Sequence, residues 1–102
     1  MGARKNLTDI SNSVRNEVHI RDGHRCVYCG RTDKPIELAH FISRAQGGLG
    51  ISHNLVSLCM DCHDDYDGDK RNEMRPYLEE YLKSLYSGWN ENDLIYQKEY
   101  SK

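Results

Sequence analysis

The spacing of apolar positions changes several times along the chain, and each change marks an element. Ile10, Val14 and Val18 recur at helical spacing, and the polar side chains between Asp9 and Ser13 can cap a first turn. A helix to about Asp22 is predicted, with Gly23 as its stop. From residue 36 the period shortens to two, Ile36, Leu38 and His40 alternating with Glu37, Ala39 and Phe41, which predicts a short strand ending near His40 or Phe41. Residues 55–58 predict a second strand. Between them, Gly47, Gly48 and Gly50 mark residues 43–53 as an irregular loop. Helical spacing then returns, first in a helix opening at His63 and later where Tyr77, Leu78, Tyr81, Leu82 and Leu85 share one face, with Pro76 in an early turn and Gly88 as the exit. Residues 89–102 are mixed and acidic and yield no assignment.

This order of elements predicts an α+β fold. No repeat, low-complexity tract or linker divides it, so the expected organisation is a flexible tail over residues 1–9 and a single domain over 10–102, with a core at 24–70 and a helical extension at 74–102. With 102 residues of which 37% are hydrophobic, such a domain buries little apolar surface and calls for a staple. The cysteines supply one. They fall as two Cys-x-x-Cys pairs, Cys26/Cys29 and Cys59/Cys62, with 29 residues between the pairs. In HRCVYCG the first pair sits in a tight turn, and Gly30 lets the backbone bend back around an ion. Four thiolates around a tetrahedral Zn²⁺ leave no position open for water, so the predicted site is structural. The polar start MGARKNLTD argues against a secreted, disulfide-bonded protein, and a thiol-based redox role accounts for the two matched pairs less well.

A formal charge of −2 excludes a strongly basic nucleic-acid binder, but the charge is uneven. Residues 1–46 carry 8 Lys and Arg against 5 Asp and Glu, and residues 47–102 carry 6 against 11. Local patches therefore matter more than the total. No apolar run approaches the roughly 18 residues of a membrane span, and a soluble, cytoplasmic protein is expected.

A second constellation interleaves with the first. His40 lies at the end of the first strand, Asn54 precedes the second, His63 opens a helix, and Asp67 follows it at i, i+4, the spacing at which two side chains on one helix face can grip one cation. Hydrolysis of a phosphodiester needs a water deprotonated near neutral pH, which a neutral histidine can do, and positive charge beside the phosphate, which a divalent ion supplies. Asn54 can orient the histidine or satisfy loop backbone. Asp67 belongs to the run Asp61, Asp64, Asp65, Asp67, Asp69, which has a plain reading as a solvated acidic face. Tyr77, Tyr81 and Tyr86 are expected to pack rather than to stack on bases.

The motifs C-V-Y-C-G, L-A-H-F-I-S-R, G-G, N-L-V-S-L-C and C-H between residues 26 and 67 resemble the HNH endonuclease family in its cysteine-bearing form. The resemblance implies a ββα-metal core with His40 as general base, Asn54 holding the first strand or the base in place, and His63 as ligand of a catalytic Mg²⁺, Mn²⁺ or similar ion. It also implies double-stranded DNA as substrate, and compact proteins of this kind are often encoded by bacteriophages and mobile elements, sometimes beside DNA-packaging genes. Arg44, Lys70, Arg71 and Arg75 are the candidate phosphate contacts. One position departs from the pattern: the residue before the base, commonly Asp or His and part of the metal site, is Ala39. That shifts weight onto His63 and Asp67, and it motivates a rival expectation of a non-catalytic zinc module that binds DNA or a partner protein.

Overall fold

A computed structural model describes residues 7–96. Helix α1 (Asn12–Arg21) starts where Ser11 Oγ accepts the Val14 N–H at 3.2 Å, and Gly23, at φ +74°, turns the chain out of it. Strands β1 (Ile36–His40) and β2 (Leu55–Cys59) pair antiparallel, Ile36 opposite Cys59 and His40 opposite Leu55. Helix α2 (Met60–Asp67) completes a ββα unit, and α3 (Arg71–Leu85) packs against it. The architecture is the expected small α+β domain.

Both faces of the two-stranded sheet are covered. Leu38 and Leu55 join Val18, Ile10 and Val14 under α1, whereas Ala39, Val56 and Leu58 join Phe41, Tyr66, Met74, Leu78 and Leu82 under α2 and α3. This is why all five residues of β2 are buried. Docking of α3 rests on Met74, Leu78 and Leu82, each fully buried and worth about 1.5–3 kcal/mol. The buried stripe is thus shifted from the predicted one: Tyr77 and Leu85 are exposed, because the helix begins at Arg71 and turns Met74 inward. Pro76 consequently sits in the second turn. The three tyrosines pack as expected, Tyr77 edge-on to Tyr28, Tyr81 onto Asp22, and Tyr86 against His53.

The outer edge of β2 is sealed by α1 and the segment after it. Asp22, 2% exposed, accepts from Ser57 N–H at 2.9 Å, from Tyr81 Oη at 2.5 Å, and from Arg21 Nε and Nη2 at 2.7 and 3.0 Å. Arg21 also donates to the carbonyls of Ser52 and Leu55. Burial opposes ionisation of Asp22, but the hydrogen bonds from Arg21 and Tyr81 outweigh it and hold the carboxyl below its usual range.

Two departures shape the site. Residues 7–9, predicted as tail, lie against the glycine loop: Gly50 N–H donates to Leu7 O at 3.0 Å, and a Cβ at Gly50 would stand 2.1 Å from Asp9 O. Residues 1–6 lie outside the described residues. On the other side of the loop, Leu94 O accepts from Leu49 N–H and Ile95 bridges to Gly48, so the segment after α3 also closes onto it. Gly48 touches the opposite wall so closely that a Cβ would fall 1.7 Å from Ile42 O.

Candidate metal centre and cleft

The two Cys-x-x-Cys turns meet at one point. The sulfur atoms of Cys26, Cys29, Cys59 and Cys62 all lie within 4.8 Å of one another, and Cys29 Sγ is 3.8 Å from Cys59 Sγ. A tetrahedron with metal–sulfur bonds of about 2.3 Å has edges of about 3.8 Å, so the donor set fits a structural zinc. Each turn also directs a backbone N–H at a sulfur, Cys29 N to Cys26 Sγ at 3.4 Å and Cys62 N to Cys59 Sγ at 3.5 Å. Burial opposes ionisation of Cys26, yet the N–H groups of Cys29, Cys59 and Tyr28 bring its thiol down to about 7. For Cys62 burial prevails and pushes the thiol up. Four thiolates this close hold together only around a cation. Cys59 caps α2, which is why that helix starts at Met60 instead of at His63.

A cleft of about 500 Å³ opens along the free edge of β1. Ile10 and Arg15 of α1, Glu37, Leu38 and His40 of β1, Ser43 and Arg44 of the loop, and His63 and Asp67 of α2 line it. Consecutive strand residues reach it together because it lies at the strand edge rather than over one face. Within it, His40 Nε2 stands 2.8 Å from Thr8 O. A carbonyl only accepts, so Nε2 carries the proton and Nδ1 is the basic nitrogen. Burial lowers the pKa of His40, partly opposed by the Thr8 carbonyl, so the imidazole is neutral at neutral pH. His63 lies between two carboxylates, Nδ1 2.6 Å from Glu37 Oε1 and Nε2 3.3 Å from Asp67 Oδ2. Adjacent donors in a shell with bonds of about 2.1 Å stand about 3 Å apart, so His63 Nε2 and Asp67 are spaced to share a divalent cation.

Of the residues singled out in the sequence, the cleft gathers His40, His63, Asp67 and Arg44. Asn54 is not among its lining. It is fully buried behind β1, where Oδ1 accepts from Ile42 N–H at 2.8 Å and Nδ2 donates to Ile42 O and Leu49 O at 3.2 and 2.8 Å. Its own carbonyl accepts from Phe41 N–H at 2.7 Å, so Asn54 satisfies loop backbone and fixes the strand end that carries His40. Ala39 is fully buried in the larger core and brings no donor.

The cations differ from expectation. Arg71, predicted on the DNA-facing surface, donates to Phe41 O at 2.7 Å and to Tyr66 O, with its guanidinium 4.2 Å above the Tyr66 ring. Arg75 pairs with Glu91 at 2.8 Å and covers Phe41. Both are drawn in because an aromatic face and a free carbonyl hold a guanidinium as well as solvent does. Lys70 is exposed but does not line the cleft. Arg44 does, paired with Asp9 at 2.5 Å, and Arg15 joins it there. Sequence reasoning passed over Arg15, the Thr8 carbonyl and Glu37. Only Glu37 left a signal, as the one charge in an otherwise apolar strand.

A second cavity, of about 340 Å³ between α3 and residues 89–92, contains no imidazole or thiol. Among the described residues no helix is long and apolar enough to cross a membrane. No curated protein matches the chain. The family described as HNH endonuclease matches residues 26–67, the segment that runs from the first Cys-x-x-Cys turn through both strands to the end of α2. Cysteine cluster, ββα unit and family match coincide there, so this segment of the chain is similar to an HNH domain, in a form that carries four clustered cysteines.

Proposed function

We propose that the chain is a metal-dependent endonuclease that hydrolyses phosphodiester bonds of double-stranded DNA in the cleft beside β1. The observation that carries this reading is the pairing of His40 Nε2 with Thr8 O at 2.8 Å, in the same cleft as His63 and Asp67. With Nε2–H donated to a carbonyl, Nδ1 of His40 is left to take a proton from water, and the same carbonyl stabilises the imidazolium that forms. His63 Nε2 and Asp67 are the groups that would hold a divalent cation, which supplies positive charge to the scissile phosphate and the leaving 3′ oxygen. Arg44 and Arg15 offer guanidinium groups to the flanking phosphates, and Asp9 keeps Arg44 extended along the rim. Asn54, Tyr66 and Arg71 act behind the site by fixing the backbone of Phe41 and Ile42. DNA as substrate and thiols that must stay reduced support a cytoplasmic location.

Supercoiled plasmid incubated with Mg²⁺ or Mn²⁺ tests the proposal. Wild type is expected to nick it and His40→Ala to lose at least about a hundredfold in rate, the lower end of what a general base contributes. Equal inactivity of both proteins, with zinc bound and the fold intact, refutes it. The buried Ala39 favours the second reading, a zinc module that binds DNA without cutting it, and that result together with retained DNA binding would establish it.

A further inference from the structure

Glu37 is an exposed carboxylate on β1, yet it stands only 2.6 Å from His63 in the cleft. A neutral imidazole has one proton, and two carboxylates compete for that of His63. Glu37 stands 2.6 Å from Nδ1, well inside hydrogen-bonding range, and Asp67 stands 3.3 Å from Nε2, beyond it. The proton therefore belongs on Nδ1, and the lone pair of Nε2 faces Asp67. We infer that Glu37 is a positioning residue which, by accepting the Nδ1–H of His63, fixes the ring orientation and tautomer that present Nε2 and Asp67 jointly to the divalent cation. The inference rests on the nuclease reading above.

The placement follows from the strand. Glu37 pairs in register with Leu58, next to the turn from which α2 springs, and β1 packs against α2, so position 37 falls opposite the first turns of the helix that carries His63. Histidines that bind metal commonly donate their second nitrogen to a carboxylate, and loss of that partner weakens metal binding by about 10- to 100-fold. The effect matters more in this chain than in a site rich in ligands. Ala39 is buried and contributes nothing, so the protein's hold on the cation depends on two side chains, and Glu37 is the partner of one of them.

The experiment uses the full zinc-loaded chain with ¹⁵N-labelled histidine, the His63 signals being assigned by their loss in His63→Ala. At alkaline pH, long-range ¹H–¹⁵N correlation is expected to place the His63 proton on Nδ1 in wild type and to shift it toward Nε2 in Glu37→Ala. Free Mn²⁺ followed by electron paramagnetic resonance is expected to show affinity falling about 10- to 100-fold in Glu37→Ala, and Glu37→Gln, whose amide oxygen still accepts Nδ1–H, should recover most of it. Wild type that binds Mn²⁺ and nicks plasmid, with Glu37→Ala equal to it in both, overturns the positioning role and leaves the nuclease reading standing. A tautomer that shifts while Mn²⁺ affinity stays constant also overturns it. Wild type that neither binds Mn²⁺ nor nicks overturns the nuclease reading, and the inference with it.

Discussion

Asn54 offers the sharpest separation of a structural role from a chemical one. Its side chain is fully buried and makes three hydrogen bonds, with Ile42 N–H, Ile42 O and Leu49 O. Asn54→Ala strands all three backbone groups. Each costs about 1–3 kcal/mol if it stays dry, and Leu49 is only partly buried, so water can relieve some of the loss. The expected destabilisation is about 2–5 kcal/mol, a large part of the 5–15 kcal/mol typical of a domain. Asn54→Asp should be worse, since an oxygen then replaces the amide that faces two carbonyls. Urea denaturation in zinc-saturated buffer measures both variants, and native-state hydrogen exchange should show the Ile42 amide losing its protection. Nicking should fall in step with these changes, because the loop that Asn54 clamps ends at His40. A variant that stays within about 0.5 kcal/mol of wild type, keeps Ile42 protected and yet no longer nicks would refute this reasoning and assign Asn54 to the chemistry itself.

Two further outcomes follow from the frame around the site. Asp22→Ala removes the partner of Arg21 and leaves Ser57 N–H and Tyr81 Oη unpaired, at an expected cost of about 3–5 kcal/mol by thermal unfolding. Because the folded-state pKa of Asp22 is depressed, its stabilising contribution is complete above the unfolded value of about 3.9 and is lost as pH falls below it, so wild type should lose stability below about pH 4 more steeply than the variant. Removal of the zinc by a strong chelator should abolish cooperative unfolding, since a structural zinc is worth about 10–16 kcal/mol, as much as the whole domain. Replacement by Co²⁺ should give the visible spectrum of tetrahedral thiolate ligation, and a chain that melts unchanged after chelation would contradict the assignment.

The parts of the site that the sequence disclosed are those whose chemistry is local. Two matched Cys-x-x-Cys turns and a His–Asp pair one helical turn apart each fix their own geometry within four residues, and the structure brings the cysteines together and sets His63 beside Asp67. Contacts between distant backbone and side chains leave no such trace. Thr8 O meets His40 across 32 residues, and Asp22 meets Ser57 across 35. Arg71 and Arg75 mislead for a related reason, as an arginine laid on an aromatic ring has the same letter as one reaching into solvent. Tyr77 shares the predicted apolar face yet is half exposed, because apolar spacing does not say where on the helix the buried stripe is centred, and Met74, Leu78 and Leu82 set it.

The strand of chain at residues 7–9 has a bearing on portability. The match to the family begins at residue 26, but the carbonyl that sets the tautomer of His40 comes from Thr8, and the rim arginine is held by Asp9. A graft trimmed to the family boundaries would keep every proposed metal donor and lose the group that leaves Nδ1 of His40 free. The cleft beside the ββα unit is therefore not modular, and any hybrid made from it must carry its own replacement for one peptide carbonyl.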